Sequence, residues 1–258
     1  MAGRRARSAP HAARHRRSQH FLRSPALAEA IVRDAAIAAG DVVVDIGAGT
    51  GRLTAPLAAR AEHVVAVEVD PELAAALRRR FGGRSTVTVL EADVLDVPLP
   101  DRRFRVVANL PFDGSTAILR RLLASPSLER ADVIVEWEAA RKRAVCWPGT
   151  VLGACWGARF EFALVRRLSA ACFEPAPQTH AGLLRITRRA QPLVDDRDYA
   201  RFCGFVRRAF RSDRAMSSVS GRACRRTARE VGIDRLARPR DLDAHQWAAL
   251  FAAVRSSQ

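Results

Sequence analysis

Lysine is nearly missing from this 258-residue chain, Lys142 being the single one, and acidic residues are few: 27 against 43 basic ones. The resulting formal charge of +16 and pI near 11.4 point to a polyanionic partner, with nucleic acid first among the candidates. With lysine so scarce the charge is guanidinium, suited to bidentate phosphate contacts and to stacking on bases. Cysteine is also sparse. Cys146, Cys155, Cys172, Cys203 and Cys224 are odd in number and form no C-x-x-C pair, so neither a disulfide framework nor a zinc site is indicated, and a reducing cytosol fits. No run reaches the roughly 18 apolar residues needed to cross a membrane. The apolar stretch 151–165 is interrupted by Arg159 and Glu161, and the N-terminus lacks the apolar centre of a signal peptide. There is no internal repeat. The expectation is a cytoplasmic, metal-free monomer with no membrane association. Its 48% apolar content can fill one large domain and a small one.

Three segments are expected. Residues 1–17 carry Arg4, Arg5, Arg7, Arg14, Arg16 and Arg17 with no acid, which reads as a basic N-terminal arm able to order on a nucleic acid. Residues 18–189 alternate strands and helices. Ser24 and Pro25 open a helix through Leu27, Ile31 and Ala35 that Gly40 stops, and Val42–Ile46 then forms a strand. Further strands are expected over 63–69, 86–90, 104–108, 133–135, 160–168 and 182–187, with helices over 71–80 and 117–123. That alternation implies an α/β fold with a mostly parallel, doubly wound sheet of seven strands. Residues 190–258 have no convincing strand and read as a small helical domain, with helices over 199–210, 221–231 and 245–254. Asp243 and Gln246 form a capping box at the last of these.

The first strand runs into Gly47-Ala48-Gly49-Thr50-Gly51, spaced G-x-G-x-G, and Arg52 stands where a dinucleotide fingerprint has its third glycine. Such a turn lets backbone approach a ligand closely without offering a pyrophosphate cradle. Glu68 ends the second strand, about 20 residues on, where an acid accepts bonds from ribose hydroxyls. Asp93 follows the third strand and is placed to accept from an adenine amine. Asp45 is placed to orient the glycine turn or a methionine amino group. The order suits a nucleoside-bearing ligand and implies a Rossmann-like class I methyltransferase using S-adenosylmethionine.

Asn109-Leu110-Pro111-Phe112 follows the fourth strand. An adenine amine is a poor nucleophile because its lone pair is delocalised into the ring. The Asn109 side-chain oxygen and the Leu110 carbonyl can both accept from that amine and aim its lone pair, Pro111 stiffens the turn, and Phe112 can stack on a flipped base.

Gln19-His20-Phe21-Leu22, Asp45 to Gly51, Glu68, Asp93, Asn109 to Phe112 and Phe173-Glu174-Pro175-Ala176-Pro177 occur in the order of the rRNA adenine N6-methyltransferase superfamily. The chain resembles that superfamily over roughly residues 15–255. The resemblance implies that Gln19, His20 and Phe21 lie beside the methionine end of the cofactor and that Phe173 forms the wall of the base slot opposite Phe112. Two features resemble the erythromycin-resistance (Erm) branch, which modifies 23S rRNA: Phe112 without a Tyr-Asn continuation, and the segment Glu136 to Ala144. In that segment Arg141-Lys142-Arg143 offers a phosphate-binding edge. The implied activity is N6-methylation, mono- or di-, of one 23S rRNA adenine, with resistance to macrolides, lincosamides and streptogramin B. A 16S rRNA dimethyladenosine transferase and a non-catalytic RNA-binding scaffold are the other two readings. Departures from the pattern are His20 in place of the usual Asn, Asp113-Gly114 after the motif, and Gln178-Thr179-His180 after the proline segment.

Overall fold

The computed structural model describes residues 20–144, 149–213, 215 and 222–256. The basic arm 1–17, Gln19 and Cys146 lie outside the described residues. Seven strands form one sheet: β2 (Val42–Ile46), β3 (His63–Glu68), β4 (Val87–Glu91), β5 (Phe104–Asn109), β6 (Leu128–Glu136), β7 (Phe160–Leu168) and β9 (Ala181–Arg188), in the order β4-β3-β2-β5-β6-β9-β7. The pairs β2–β3, β3–β4, β2–β5 and β5–β6 are parallel. β2 is buried at all five positions, as the unbroken run Val42-Val43-Val44-Asp45-Ile46 requires of a central strand covered on both faces. The strand order reverses between β2 and β5, so the carboxyl ends of these two strands open the crevice in which doubly wound sheets bind ligands. The glycine turn leaves one of those ends and Asn109 terminates the other.

A second, two-stranded sheet was not anticipated. β1 (Phe21–Leu22) pairs antiparallel with β8 (Phe173–Glu174), setting Phe21 opposite Glu174 and Leu22 opposite Phe173. Helices close the faces: α1 (Pro25–Asp34), capped by Ser24 on the Leu27 amide, α2 (Thr54–Ala58), α3 (Pro71–Phe81), capped by Asp70, and α4 (Ser115–Ala124). The unpredicted length of β6 has a chemical origin. Its first half carries Glu129, Arg130 and Asp132, whose charges break the apolar pattern. Asp132 is 1% exposed and accepts from Arg130 Nε at 2.6 Å and Arg185 Nε at 2.8 Å, while both guanidinium groups also donate to the Asp34 carbonyl. Arg105 on β5, likewise buried, donates to the Ala35 and Ala36 carbonyls at the end of α1 and to Asp41.

Packing divides the chain into two compact units, Met1–Ala140 with Leu164–Arg185, and Arg141–Ala163 with Ile186–Gln258. The sequence boundary between 189 and 190 leaves 141–163 on the other side. The reason is visible in the second unit's core, where Ala154, Cys155 and Ala158 of the apolar stretch cluster with Phe202, Cys203 and Val206. Its helices are α5 (Trp137–Ala144), which begins in the first unit, α6 (Val151–Gly157), α7 (Tyr199–Ala209), α8 (Arg222–Glu230) and α9 (Ala244–Arg255). At α9 the Asp243–Gln246 box is present in both directions, at 2.8 and 2.9 Å. Among the described residues no helix is long and apolar enough to cross a membrane, and no group of His, Cys, Asp and Glu is arranged to hold a metal ion.

Candidate active site

All three glycines of the turn have positive φ, +67° at Gly47, +55° at Gly49 and +76° at Gly51, a region costly for side-chain-bearing residues. Close approach matters as well, though the approaching group is the protein itself at two of them. A Cβ on Gly49 would lie 2.7 Å from Phe21 Cε1, and one on Gly51 2.8 Å from Phe81 Cε2. Gly49 thus seats the Phe21 ring on the turn, and Gly51 seats α3. Only at Gly47 does the turn face the motif, where a Cβ would lie 3.7 Å from the Asn109 carbonyl oxygen. The Gly47 amide donates to the Val67 carbonyl at 2.9 Å and the Gly49 amide to Glu68 Oε2 at 2.8 Å, so the turn is braced on β3.

Glu68, 3% exposed, also takes the Val69 and Asp70 amides on Oε1 at 2.9 Å each. It is therefore a fixed carboxylate at the lip of β3. Asp93 is half-buried and accepts the Leu95 amide on Oδ1. Asp45 is of a different kind. It is 1% exposed and accepts from Thr54 Oγ1 at 2.7 Å. Burial pushes its pKa up to about 7, with the neighbouring Glu68 charge adding to the rise and the Thr54 hydrogen bond opposing it. A carboxyl whose pKa is higher folded than unfolded holds its proton more tightly in the folded state. Stability is therefore lost as pH rises from about 4 to about 7, by on the order of a few kcal/mol. Asp45→Asn removes that loss. We expect the variant to match the wild type near pH 4, to exceed it at pH 8, and to show a flatter dependence of melting temperature on pH; parallel curves would show that Asp45 does not titrate in this window.

The Asn109 side chain is held by a 2.6 Å bond from Nδ2 to the His20 carbonyl. A carbonyl can only accept, so the amide orientation is fixed and Oδ1 is the free end. That Oδ1 is buried with no hydrogen-bond partner, an unsatisfied acceptor of the kind native proteins seldom keep without a use. Leu110, 2% exposed, donates its amide to the Ile134 carbonyl of β6. His20 Nδ1 donates to the Pro175 carbonyl at 2.8 Å, and its ring lies 5.5 Å from Phe112, tilted by 47°. Asp113-Gly114 has a backbone explanation: Gly114, at φ +100°, starts α4 in a left-handed conformation.

Between these groups lies a cleft of about 710 Å³, open mouth included, lined by His20, Phe21, Gly47, Glu68, Asp93 and Asn109 to Phe112 among others. A smaller recess of about 270 Å³ shares Phe21, Gly47 and Asn109 and adds Asp45, Thr50 and Arg52. A profile of the ribosomal RNA adenine dimethylase family matches residues 10–254. The chain belongs to this family. It is 34% identical over 248 residues to the mycinamicin-resistance protein MyrB of Micromonospora griseorubida, covering 94% of this chain and 79% of that one. It is also 33% identical over 256 residues to ribosomal RNA small subunit methyltransferase A of Synechococcus sp. (strain JA-3-3Ab), covering 92% and 91%. Among solved structures, 23S rRNA methyltransferase ErmE superposes with a TM-score of 0.83 at 28% identity, covering 91% of this chain and 99% of that one.

As an rRNA adenine methyltransferase of this family, the chain brings most of the residues singled out from sequence to one cleft. The exceptions are informative. Phe173 is 1% exposed and does not line the cleft; it packs in the apolar core with Leu22, Leu168 and Leu183, and Phe112 leans on the same cluster. Phe173 pairs with Leu22 across β1–β8, and its ring is packed in the core rather than facing Phe112 across the cleft. Gly49 and Gly51 serve the fold, Asp45 faces the smaller recess, and Gln19 lies outside the described residues. Sequence reading missed Thr54, the partner of Asp45, and the cleft residues Val69, Val94 and Ile118. Thr54 sits three residues past the turn, where its helical position gave no sign of a buried acid beside it. A donor with an adenosine end fits the residues present. Glu68 and Asp93 supply acceptors along the cleft, Val67, Val69 and Val94 an apolar bed, and Asn109 an acceptor without a partner.

Proposed function

We propose that this chain uses S-adenosylmethionine to methylate, once or twice, the exocyclic nitrogen of a single adenine in 23S rRNA, and that the modification confers macrolide, lincosamide and streptogramin B resistance. The observation that carries the chemical part is the buried, unpartnered Asn109 Oδ1 at the end of β5. When bound, the cofactor supplies a methyl group already activated on sulfur. Asn109 Oδ1 and the Leu110 carbonyl accept the two amine hydrogens, which turns the nitrogen lone pair toward the methyl group, and in-line positioning then supplies much of the rate. Phe112 stacks on the flipped base. Glu68, Asp93, Gly47, His20 and Phe21 hold the cofactor. In this reading Phe173 backs Phe112 from the core, and a rotation of its ring toward the cleft would complete the second wall.

The 23S assignment rests on the likeness to ErmE and MyrB and on Phe112 in place of a tyrosine. Expression in a macrolide-sensitive bacterium should raise tolerance and stop primer extension at one adenine of 23S rRNA. Methyl label confined to the small subunit would instead favour the 16S reading, to which the similarity to methyltransferase A lends support. The protein acts as a cytoplasmic monomer in this proposal, and residues 190–258 grip the RNA backbone. The exposed Arg207, Arg208 and Arg225 are its phosphate contacts. Neutralising one of them should lower the slope of log affinity against log salt by roughly one; an unchanged slope removes that residue from the interface.

A further inference from the structure

The smaller recess beside the glycine turn has an unusual pairing of charges. Its lining includes one acid, Asp45, and one cation, Arg52, with Thr50, Gly47, Phe21 and Asn109 around them. Asp45 is sealed and engaged with Thr54. Arg52 is exposed, and among the described residues its guanidinium has neither an ion-pair nor a hydrogen-bond partner. The contrast with Arg80, the other cation at the turn, is direct. Arg80 donates to the Thr50 carbonyl at 2.8 Å and lies 5.1 Å from the Phe81 ring, so it braces the turn from outside the recess. The recess shares Phe21, Gly47 and Asn109 with the main cleft, so the two cavities adjoin. The cleft is lined by the acceptors Glu68 and Asp93, whereas the recess, with one cation exposed, suits a group carrying negative charge.

We propose that Arg52 is a specificity residue that binds the α-carboxylate of the amino-acid end of the cofactor, so that this site selects ligands carrying that carboxylate over the same nucleoside thioether without it. The inference rests on the S-adenosylmethionine reading above. A guanidinium suits the task because its planar fork meets a carboxylate with two parallel N–H donors. It also explains an arginine at the position where a dinucleotide fingerprint keeps glycine: with no pyrophosphate to admit, a side chain can stand there and take part in binding.

The test is calorimetric and needs no turnover. S-adenosylhomocysteine and 5′-methylthioadenosine share the adenosine and the thioether, and methylthioadenosine lacks the amino-acid end. Both are titrated into the full-length wild type, Arg52→Ala and Arg80→Ala. Arg52→Ala should weaken S-adenosylhomocysteine about 10-fold or more, the scale of one charge-assisted hydrogen-bonded pair. Methylthioadenosine should stay within about twofold, which also certifies the fold of the variant. Arg80→Ala should leave the ratio of the two affinities as in the wild type. Equal losses for both ligands in Arg52→Ala, an unchanged S-adenosylhomocysteine affinity, or the same selective loss in Arg80→Ala would each overturn the proposal. If the wild type binds neither ligand, the cofactor reading itself falls, an outcome distinct from all of these.

Discussion

Replacing Asn109 with alanine should slow RNA methylation by roughly 100- to 1000-fold, the scale on which single preorganised polar groups act when they are aimed at developing charge. The variant should still fold and bind S-adenosylhomocysteine. The reason is the division of labour within one side chain: Nδ2 is spent on the His20 carbonyl, and Oδ1, buried without a partner, is the acceptor proposed for the substrate amine. Alanine abolishes both. Aspartate separates them, since it restores an acceptor but sets a carboxylate oxygen against the His20 carbonyl, 2.6 Å from the atom it replaces. Asn109→Asp should therefore recover little activity, and any residual rate should be sensitive to how far the His20 segment can shift. Single-turnover methylation at saturating cofactor reads this directly. If Asn109→Ala turns over as fast as the wild type, the amide does not orient the amine; if it instead supports every cellular role of the wild type while the wild type transfers no methyl, the protein is a scaffold.

Asp132→Ala should cost about 3 kcal/mol of stability, because it removes the buried acid shared by two partly buried guanidinium groups rather than one weak surface contact. Asp132 is 1% exposed, and its two oxygens take bonds from Arg130 and Arg185. At the size of this chain that loss corresponds to a fall in melting temperature of roughly 10 °C. Asp132→Asn, which keeps the shape and one acceptor oxygen, should fall between. Surface pairs such as Arg102–Glu62, both about half exposed, set the contrast, since exposed pairs contribute about 0–1 kcal/mol. Denaturant midpoints for the three variants would decide: an Asp132→Ala loss no larger than that of Glu62→Ala would mean that the arginines find water once the acid is gone.

What could be read from the sequence is what short-range pattern and local chemistry determine. Val42 to Gly51 announced a buried strand and its turn because apolar run and glycine spacing both act within ten residues, and the box at Asp243 needs a separation of three. The candidate site was legible for the same reason: Glu68, Asp93 and Asn109 stand at strand ends. The parts that escaped depend on distant partners. Phe21–Leu22 is too short to signal a strand, and its register is set by Phe173 and Glu174, far along the chain. β6 was read as three residues because Arg130 and Asp132 look like solvent-facing charges until Arg185 and the Asp34 carbonyl are seen to satisfy them. The stretch 151–165 was greasy enough to be noticed, and only the packing of Cys155 with Cys203 and Phe202 shows that its first half belongs to the helical core. Burial places the Phe173 ring in the core, a position that its proline-rich turn did not signal.

The bonds from Asn109 to the His20 carbonyl and from His20 to the Pro175 carbonyl span 89 and 155 residues of chain. A ribosome making this protein releases the glycine turn, β5 and Asn109 long before Pro175 leaves the exit tunnel, so the Asn109 amide has no complete anchor until more than two thirds of the polypeptide is free. The last clasp around Asn109 therefore closes only when synthesis is well advanced.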